Sequence, residues 1–369
     1  MSDVSSHAKI DLDIKEIMDA VGKADWGEAA KIYIEGKNSV KSSGKKRTLQ
    51  GFSKSFAEEG TSKQDEPMAK LVNAFWGRFD YADTVVSAAL GDCADAAPED
   101  KCPGTDDQPP TGFPSLGNFG TGPLAKVDDV RSQLIKKGVA YASTWMYALH
   151  EMEVALAKYK AGDFDVAKGA PYYLDEAWVF YAGSEESGSA DGYGPYTGGE
   201  KFGKHFGTYG YEMGTGGRSY ANKELLYQFT AMQRLLQTAG NDAALEDIAK
   251  CIRSQFMVPL IQGCLSYTFK ASSKDMVPED SVAKYKAEAW AFCITALPFL
   301  HDVDPESAKE VLDTATINAV ERPDWKVVKT AFSDSNLNKM GILCDDVGFL
   351  GGGGVNAMDF NKVWVSARV

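Results

Sequence analysis

No run of about 18 consecutive apolar residues occurs in this 369-residue chain, which excludes a membrane-spanning helix. The opening Met1-Ser2-Asp3-Val4-Ser5-Ser6-His7 has no apolar centre, so no secretory leader is visible. Positive charge is short as well: 39 Lys and Arg stand against 52 Asp and Glu, a formal net charge of −13. That balance argues against nucleic acid or an anionic membrane as partner, since both select basic patches. The one dense basic run, Lys41 to Arg47, reads as a solvated loop. Cys-x-x-Cys is missing, which removes zinc-ribbon and thioredoxin readings. There is no Gly-x-Ser-x-Gly, no His-Glu-x-x-His and no nucleophile beside a base. Gly351-Gly352-Gly353-Gly354 is not followed by Gly-Lys-Ser/Thr, and Asp345, Asp346 and Asp359 would repel phosphate. With only four histidines (His7, His150, His205, His301), the expectation is a protein that is not an enzyme.

What is present is that of a globular chain: 44% hydrophobic, 25% charged and 11% aromatic, enough for a sizeable core. Apolar residues recur at i, i+3, i+4 and i+7 over 14–35, 67–90, 127–160, 174–183, 219–238, 243–270, 278–300 and 305–320, and this periodicity predicts helices. Asp242 stands at a cap position, and Pro278 and Pro305 at first-turn positions. Val363-Trp364-Val365 could form one short strand. The fold class expected is mainly α.

The phrase Glu-Ala-Trp-x-Phe occurs twice, at Glu176–Phe180 and at Glu288–Phe292, about 110 residues apart. In both places a helix and then a longer helix precede it, which reads as a duplicated helical bundle with two pseudo-symmetric repeats. The corresponding segments are 1–65 (an N-terminal helix and basic loop), 66–200 and 201–320 (the two repeats) and 321–369 (a Gly-rich loop and tail), within one compact unit. Loop-rich tracts lie at 92–123, 183–217 and 332–361. The second is rich in glycine and tyrosine and is expected to pack as an ordered lid. Six cysteines allow 15 pairings; Cys93 and Cys102 bracket a polar segment that suits a small disulfide loop, and the other four stay unassigned. Cysteine content places the chain outside the cytoplasm rather than in it, with cytosol or an organelle lumen as the alternatives.

A carboxylate at the same point of both repeats, beside a bulky apolar wall, calls for a partner: a metal, a base or a proton. His150 and Glu153 are i, i+3 neighbours on one helix face and can converge on one ion. Asp175 and Glu176 open the next helix, and Glu288 is the second-repeat counterpart, so these five residues are the candidate metal ligands. Imidazole with carboxylates suits iron, manganese or zinc. His205, Tyr209 and Tyr211, with Lys201 and Lys204 nearby, form a second candidate group in the lid, where tyrosinate would suit ferric iron and the lysines an anion. The plainer reading has His150 bonded within the core, Glu153 at the surface and the tyrosines packing over the helices.

Several phrases resemble the iron-assimilating, low-iron-inducible periplasmic proteins of algae. They are Trp26-x-x-Ala29-x-x-Ile32-Tyr33-x-x-Gly36-Lys37-Asn38-Ser39, Tyr173-Leu174-Asp175-Glu176-Ala177-Trp178-Val179-Phe180-Tyr181-Ala182-Gly183, Lys204-His205-Phe206-Gly207-Thr208, and the second Glu288-Ala289-Trp290-Ala291-Phe292. The resemblance implies an extracellular or periplasmic, non-enzymatic protein that binds iron (Fe3+ or Fe2+) and hands it to cell-surface uptake machinery. It supplies no ligand set. The rival expectation is a structural or assembly protein whose acids pair with lysine, arginine or backbone N–H groups. A carboxylate-bridged oxidase would need a second Glu-x-x-His helix, which the sequence does not offer.

Overall fold

The computed structural model describes residues 3–91, 112–114, 116, 128–186, 191–212, 216–275, 277–317 and 321–351. Among the described residues it is 71% helical with one two-stranded sheet, so the chain is mainly α. Cys93, Cys102, Val363-Trp364-Val365 and Gly352 to Gly354 lie outside the described residues.

The first half contains α1 (Ser5–Ala8), α2 (Ile10–Val21), α3 (Trp26–Glu35), α4 (Leu49–Lys54), α5 (Pro67–Trp76), α6 (Tyr81–Leu90), α7 (Asp128–Gly138), α8 (Thr144–Lys160) and α9 (Ala170–Ala182). The second contains α10 (Pro195–Phe206), the strands β1 (Tyr209–Glu212) and β2 (Gly216–Ser219), α11 (Tyr220–Leu235), α12 (Asp242–Ser272), α13 (Val282–Val303), α14 (Pro305–Ala315), α15 (Trp325–Ala331), α16 (Asp334–Lys339) and α17 (Cys344–Val347).

Two periodic stretches break where caps interrupt them. The 14–35 pattern splits because Ala24 turns to positive φ and the Asp25 side chain accepts from Glu28 N, which starts α3 anew. The 67–90 pattern splits at Gly77, whose left-handed φ of 68° ends α5. In 127–160 a π-helical turn, Val139–Ser143, joins α7 to α8. The Gly/Tyr tract holds a helix the periodicity did not reveal. Pro195 opens α10 at its first turn, Gly207 closes it at φ 72°, and β1 and β2 then pair antiparallel from Tyr209↔Ser219 to Glu212↔Gly216.

Two helical hairpins form the centre, α8 on α9 and α12 on α13. A disulfide between Cys264 and Cys293 joins α12 to α13, and both sulfurs are fully buried. Beside it Gly263 meets the Phe292 ring so closely that an added Cβ would stand 2.6 Å from it. Pro298 lies inside α13 and has no N–H to give the carbonyl of Ile294. Trp76 Nε1 donates to that carbonyl instead, at 3.2 Å, and so ties α5 to α13.

The Gly36-Lys37-Asn38-Ser39 phrase has a structural job. Asp13 of α2 accepts from Lys37 N at 2.9 Å, Asn38 N at 2.7 Å and Asn38 Nδ2 at 2.8 Å, while Ser39 Oγ donates to Ser6 O at 2.9 Å. Gly36 itself sits at φ 66°, with Arg47 O in the space a Cβ would need. This clamp holds α1 against α9 and with it His7, and carries the chain on to Arg47.

A candidate metal centre in the acid and imidazole cluster

Behind α1, the start of α5 and the α8–α9 hairpin lies a group of buried titratable side chains. His7 comes from α1, Glu66 from the residue before Pro67, Tyr147, His150 and Glu151 from α8, and Tyr172 and Glu176 from α9. Phe52, Phe56 and Phe180 supply the apolar wall: Phe52 stacks on Tyr147 at 3.9 Å, Phe56 meets the His150 ring at 5.4 Å, and Phe180 meets His7 at 5.8 Å. His7, His150, Glu151 and Glu176 are each at most 7% exposed.

Two linked groups occupy this pocket. In the first, Glu66 Oε1 lies 2.6 Å from His150 Nδ1. Burial pushes the Glu66 carboxyl up to about 9, with Glu153 and Glu151 acting in the same sense and Lys63 opposing. Burial pushes the His150 imidazole down to about 3, and Lys63 adds to that. At neutral pH the pair is therefore an uncharged acid donating to an uncharged imidazole. In the second, Glu176 Oε1 lies 2.6 Å from His7 Nε2, and Arg47 Nη2 abuts the same nitrogen. Glu151 bonds to Glu176 and accepts from the Tyr147 hydroxyl; burial first, then the Glu176 charge, pushes Glu151 up to about 8. Tyr172 donates to Glu176. Glu66 Oε2, His7 Nδ1 and Arg47 Nη1 are buried without a hydrogen-bond partner.

The five expected ligands are dispersed. His150 and Glu176 belong to this pocket, but His150 and Glu153 do not converge. Glu153 turns to α12, where Arg253 Nε and Nη2 donate to its two oxygens at 2.7 and 3.0 Å. Asp175 faces α11 and accepts from Gln233 Nε2 at 2.5 Å. Glu288 lies in a separate basic cluster, 3.8 Å from Lys137 Nζ, and accepts from Tyr267. In the second candidate group, Tyr209 donates to Gly217 O, and Lys204 Nζ stands over its ring at 4.7 Å. His205 is half-buried on α10, and Tyr211 is a β1 residue whose backbone opposes Gly217. Among the described residues, no group of three or more His, Cys, Asp or Glu side chains is arranged to hold a metal ion as it stands.

The family model described as "Low iron-inducible periplasmic protein" (Fea1) matches residues 1–362. The chain belongs to the Fea1 family. No curated protein and no solved structure matches it. Membership makes this Fea1 chain an extracellular or periplasmic protein linked to iron assimilation, and among its described residues no helix is long and apolar enough to cross a membrane.

Sequence reasoning missed most of the Fea1 pocket. Glu66 reads as an ordinary residue before a helix-opening proline, and His7 as part of an irregular start. Arg47 ends the basic run that reads as a solvated loop. Glu151 lies between His150 and Glu153, four residues after Tyr147. That i, i+4 spacing was the available signal. Chemically the pocket offers three carboxylates, two imidazoles and two phenols, a set that suits a hard or borderline cation such as iron.

Proposed function

We propose that the protein binds iron as cargo in this pocket, through Glu66, Glu151 and Glu176 with His7 and His150. The observation that carries the reading is the state of the acids. Burial holds Glu66 and Glu151 protonated, and Glu66 Oε2 and His7 Nδ1 are enclosed without partners. A cation entering such a site replaces protons and gives the enclosed atoms a partner. Carboxylates neutralise its charge, and the Phe52, Phe56 and Phe180 wall keeps water from competing. Because the side chains now bond to one another, binding includes their rearrangement. Extracytoplasmic iron capture follows from such a site together with the family's link to iron assimilation, and transfer to surface uptake machinery is its next step.

The competing reading is an assembly protein that carries no metal; the bidentate Arg253–Glu153 pair is the kind of contact it expects. Metal analysis after loading with ferric and ferrous iron and desalting separates the two. Wild-type protein retains iron, and Glu151→Gln and Glu176→Gln weaken retention by at least about tenfold, as expected for lost coordination or its support. Glu153→Gln retains iron like the wild type. Wild-type protein that leaves the column iron-free, or equal retention by all variants, rejects the site.

A further inference from the structure

The second Glu-Ala-Trp phrase leads to a different cluster of charged side chains. Four helices converge there: Lys137 comes from α7, Lys201 from α10, Tyr267 and Lys270 from α12, and Glu288 from α13. Lys137 Nζ lies 3.8 Å from Glu288 Oε1, and both side chains are largely buried. Lys201 Nζ reaches the Tyr267 hydroxyl at 3.5 Å, and that hydroxyl in turn bonds to Glu288. Lys270 Nζ stands 5.1 Å from the centre of the Tyr267 ring.

One of three neighbouring ammonium groups thus pairs with the carboxylate and the other two stand on Tyr267, a local surplus of two positive charges in a chain whose net charge is −13. Among the described residues neither Lys201 nor Lys270 makes an ion pair. The lysines also act on one another: Lys201 opposes the charging of both Lys137 and Lys270. Ammonium groups held close together in a low-dielectric setting repel, and the arrangement costs stability unless an anion relieves it. Tyr267 is packed flat against Phe292, so its hydroxyl, donating to Glu288 and accepting from Lys201, is fixed among the lysines. Lys201 is exposed, so the cluster borders solvent.

From this geometry we infer a second ligand site, in which Lys137, Lys201 and Lys270 bind a small multivalent oxyanion of the phosphate or polycarboxylate class. Several oxygens on one ligand meet three ammonium donors at once, whereas a monovalent anion satisfies one of them. Binding also draws a proton onto Lys137, whose ammonium burial holds down at about 8. The site does not depend on iron in the acid pocket, and its charge is of the opposite sign.

The test uses iron-free full-length protein in calorimetric titrations with citrate and with inorganic phosphate at constant ionic strength, and with acetate as the monovalent control. Saturable binding of citrate or phosphate, with acetate much weaker, is expected, and the stronger of the two names the class. Near pH 8 the measured heat depends on the buffer's ionisation heat, in the sense of proton uptake. Lys137→Met, Lys201→Met and Lys270→Met each weaken binding by about 10–100-fold, the loss of one charge-assisted bond. Lys309→Met, an exposed lysine paired with Asp313, leaves it unchanged. Lys201 is on the surface, so its variant folds even if removal of Lys137 disturbs the core. Failure of both citrate and phosphate to bind, equal binding of acetate, or binding of ferric citrate alone overturns the inference. So does full affinity in all three lysine variants.

Discussion

Glu153 takes two hydrogen bonds from Arg253 across the α8–α12 contact, and Glu246 is a third member of the group at 3.3 Å. Removing one partner of a largely buried ion pair leaves the other charge without compensation, at a cost of about 3–5 kcal/mol in the fully buried case. Arg253 keeps Glu246 and some solvent, so Glu153→Ala is expected to destabilise by about 2 kcal/mol, below that limit. Urea denaturation measures it, and an unchanged midpoint would refute the pairing. Glu66 and Glu151 make the opposite prediction. Both carboxyls are raised from an ordinary value of 4.5, to about 9 and about 8. A raised acid binds a proton in the folded chain that the unfolded chain has released. Its contribution is therefore complete below about 4.5 and is lost as pH rises through the folded value. His150, held down to about 3, gives the reverse slope up to its ordinary value of 6.5. The window in which the two acids act unopposed by it is pH 6.5 to 8. Each acid there contributes up to ~1.4 kcal/mol per pH unit. Iron-free wild-type protein should lose stability across that window, and Glu66→Gln should flatten the loss. A steeper decline in the variant would contradict the assignment. Of this pocket, Glu176 and His150 were legible in the sequence, because one recurs in a repeated phrase and the other is one of four histidines. Their partners were not, since Glu66 and His7 reach them across 84 and 169 residues (176 − 7) with no local pattern to mark the contact.

At the scale of elements, the long apolar periodicities held while their interruptions did not show. A hydrophobic stripe reports which face is buried over many residues, but a cap such as Asp25 or a left-handed Gly77 acts at one position and leaves the stripe intact on both sides. The π-helical turn between α7 and α8 is hidden for the same reason. Helix α10 escaped because its glycines lower helix propensity, and tertiary contact compensates: Gly198 and Gly199 let Tyr141 and Asn222 approach where a Cβ would stand 2.4 and 2.6 Å away. Substituting either glycine by alanine should therefore destabilise, although propensity alone favours alanine. The α5–α13 join gives a sharper test. Trp76→Phe keeps the ring but removes the indole donor from the Ile294 carbonyl that Pro298 has left without its helical partner. A buried acceptor without a donor costs about 1–3 kcal/mol. Trp76→Phe should lower the thermal midpoint accordingly, and Pro298→Ala in the same chain should recover part of the loss by restoring the helix N–H. No recovery would show that the indole bond does not stand in for the missing one.

On the scale of the whole molecule, the proposed iron pocket draws on segments far apart in the chain: α1, the turn before α4, the start of α5 and the α8–α9 hairpin. A ligand bound by all of them stabilises only the folded chain, by about 2.7 kcal/mol when free ligand exceeds the dissociation constant a hundredfold. Its pH dependence runs against that of the empty protein. At pH 7 Glu66 and Glu151 hold protons, because 7 lies below both raised values. Iron takes their place only if they leave, so binding should release up to two protons per iron and affinity should fall as pH drops. Above pH 6.5 the empty protein loses stability with rising pH while the loaded protein gains affinity. The difference between the thermal midpoints of loaded and empty protein should therefore widen from pH 6.5 to pH 8. Paired thermal scans over that range, with proton release followed at pH 7, test the two consequences together. A gap that narrows with rising pH, or iron uptake without proton release, would place iron elsewhere than at these acids.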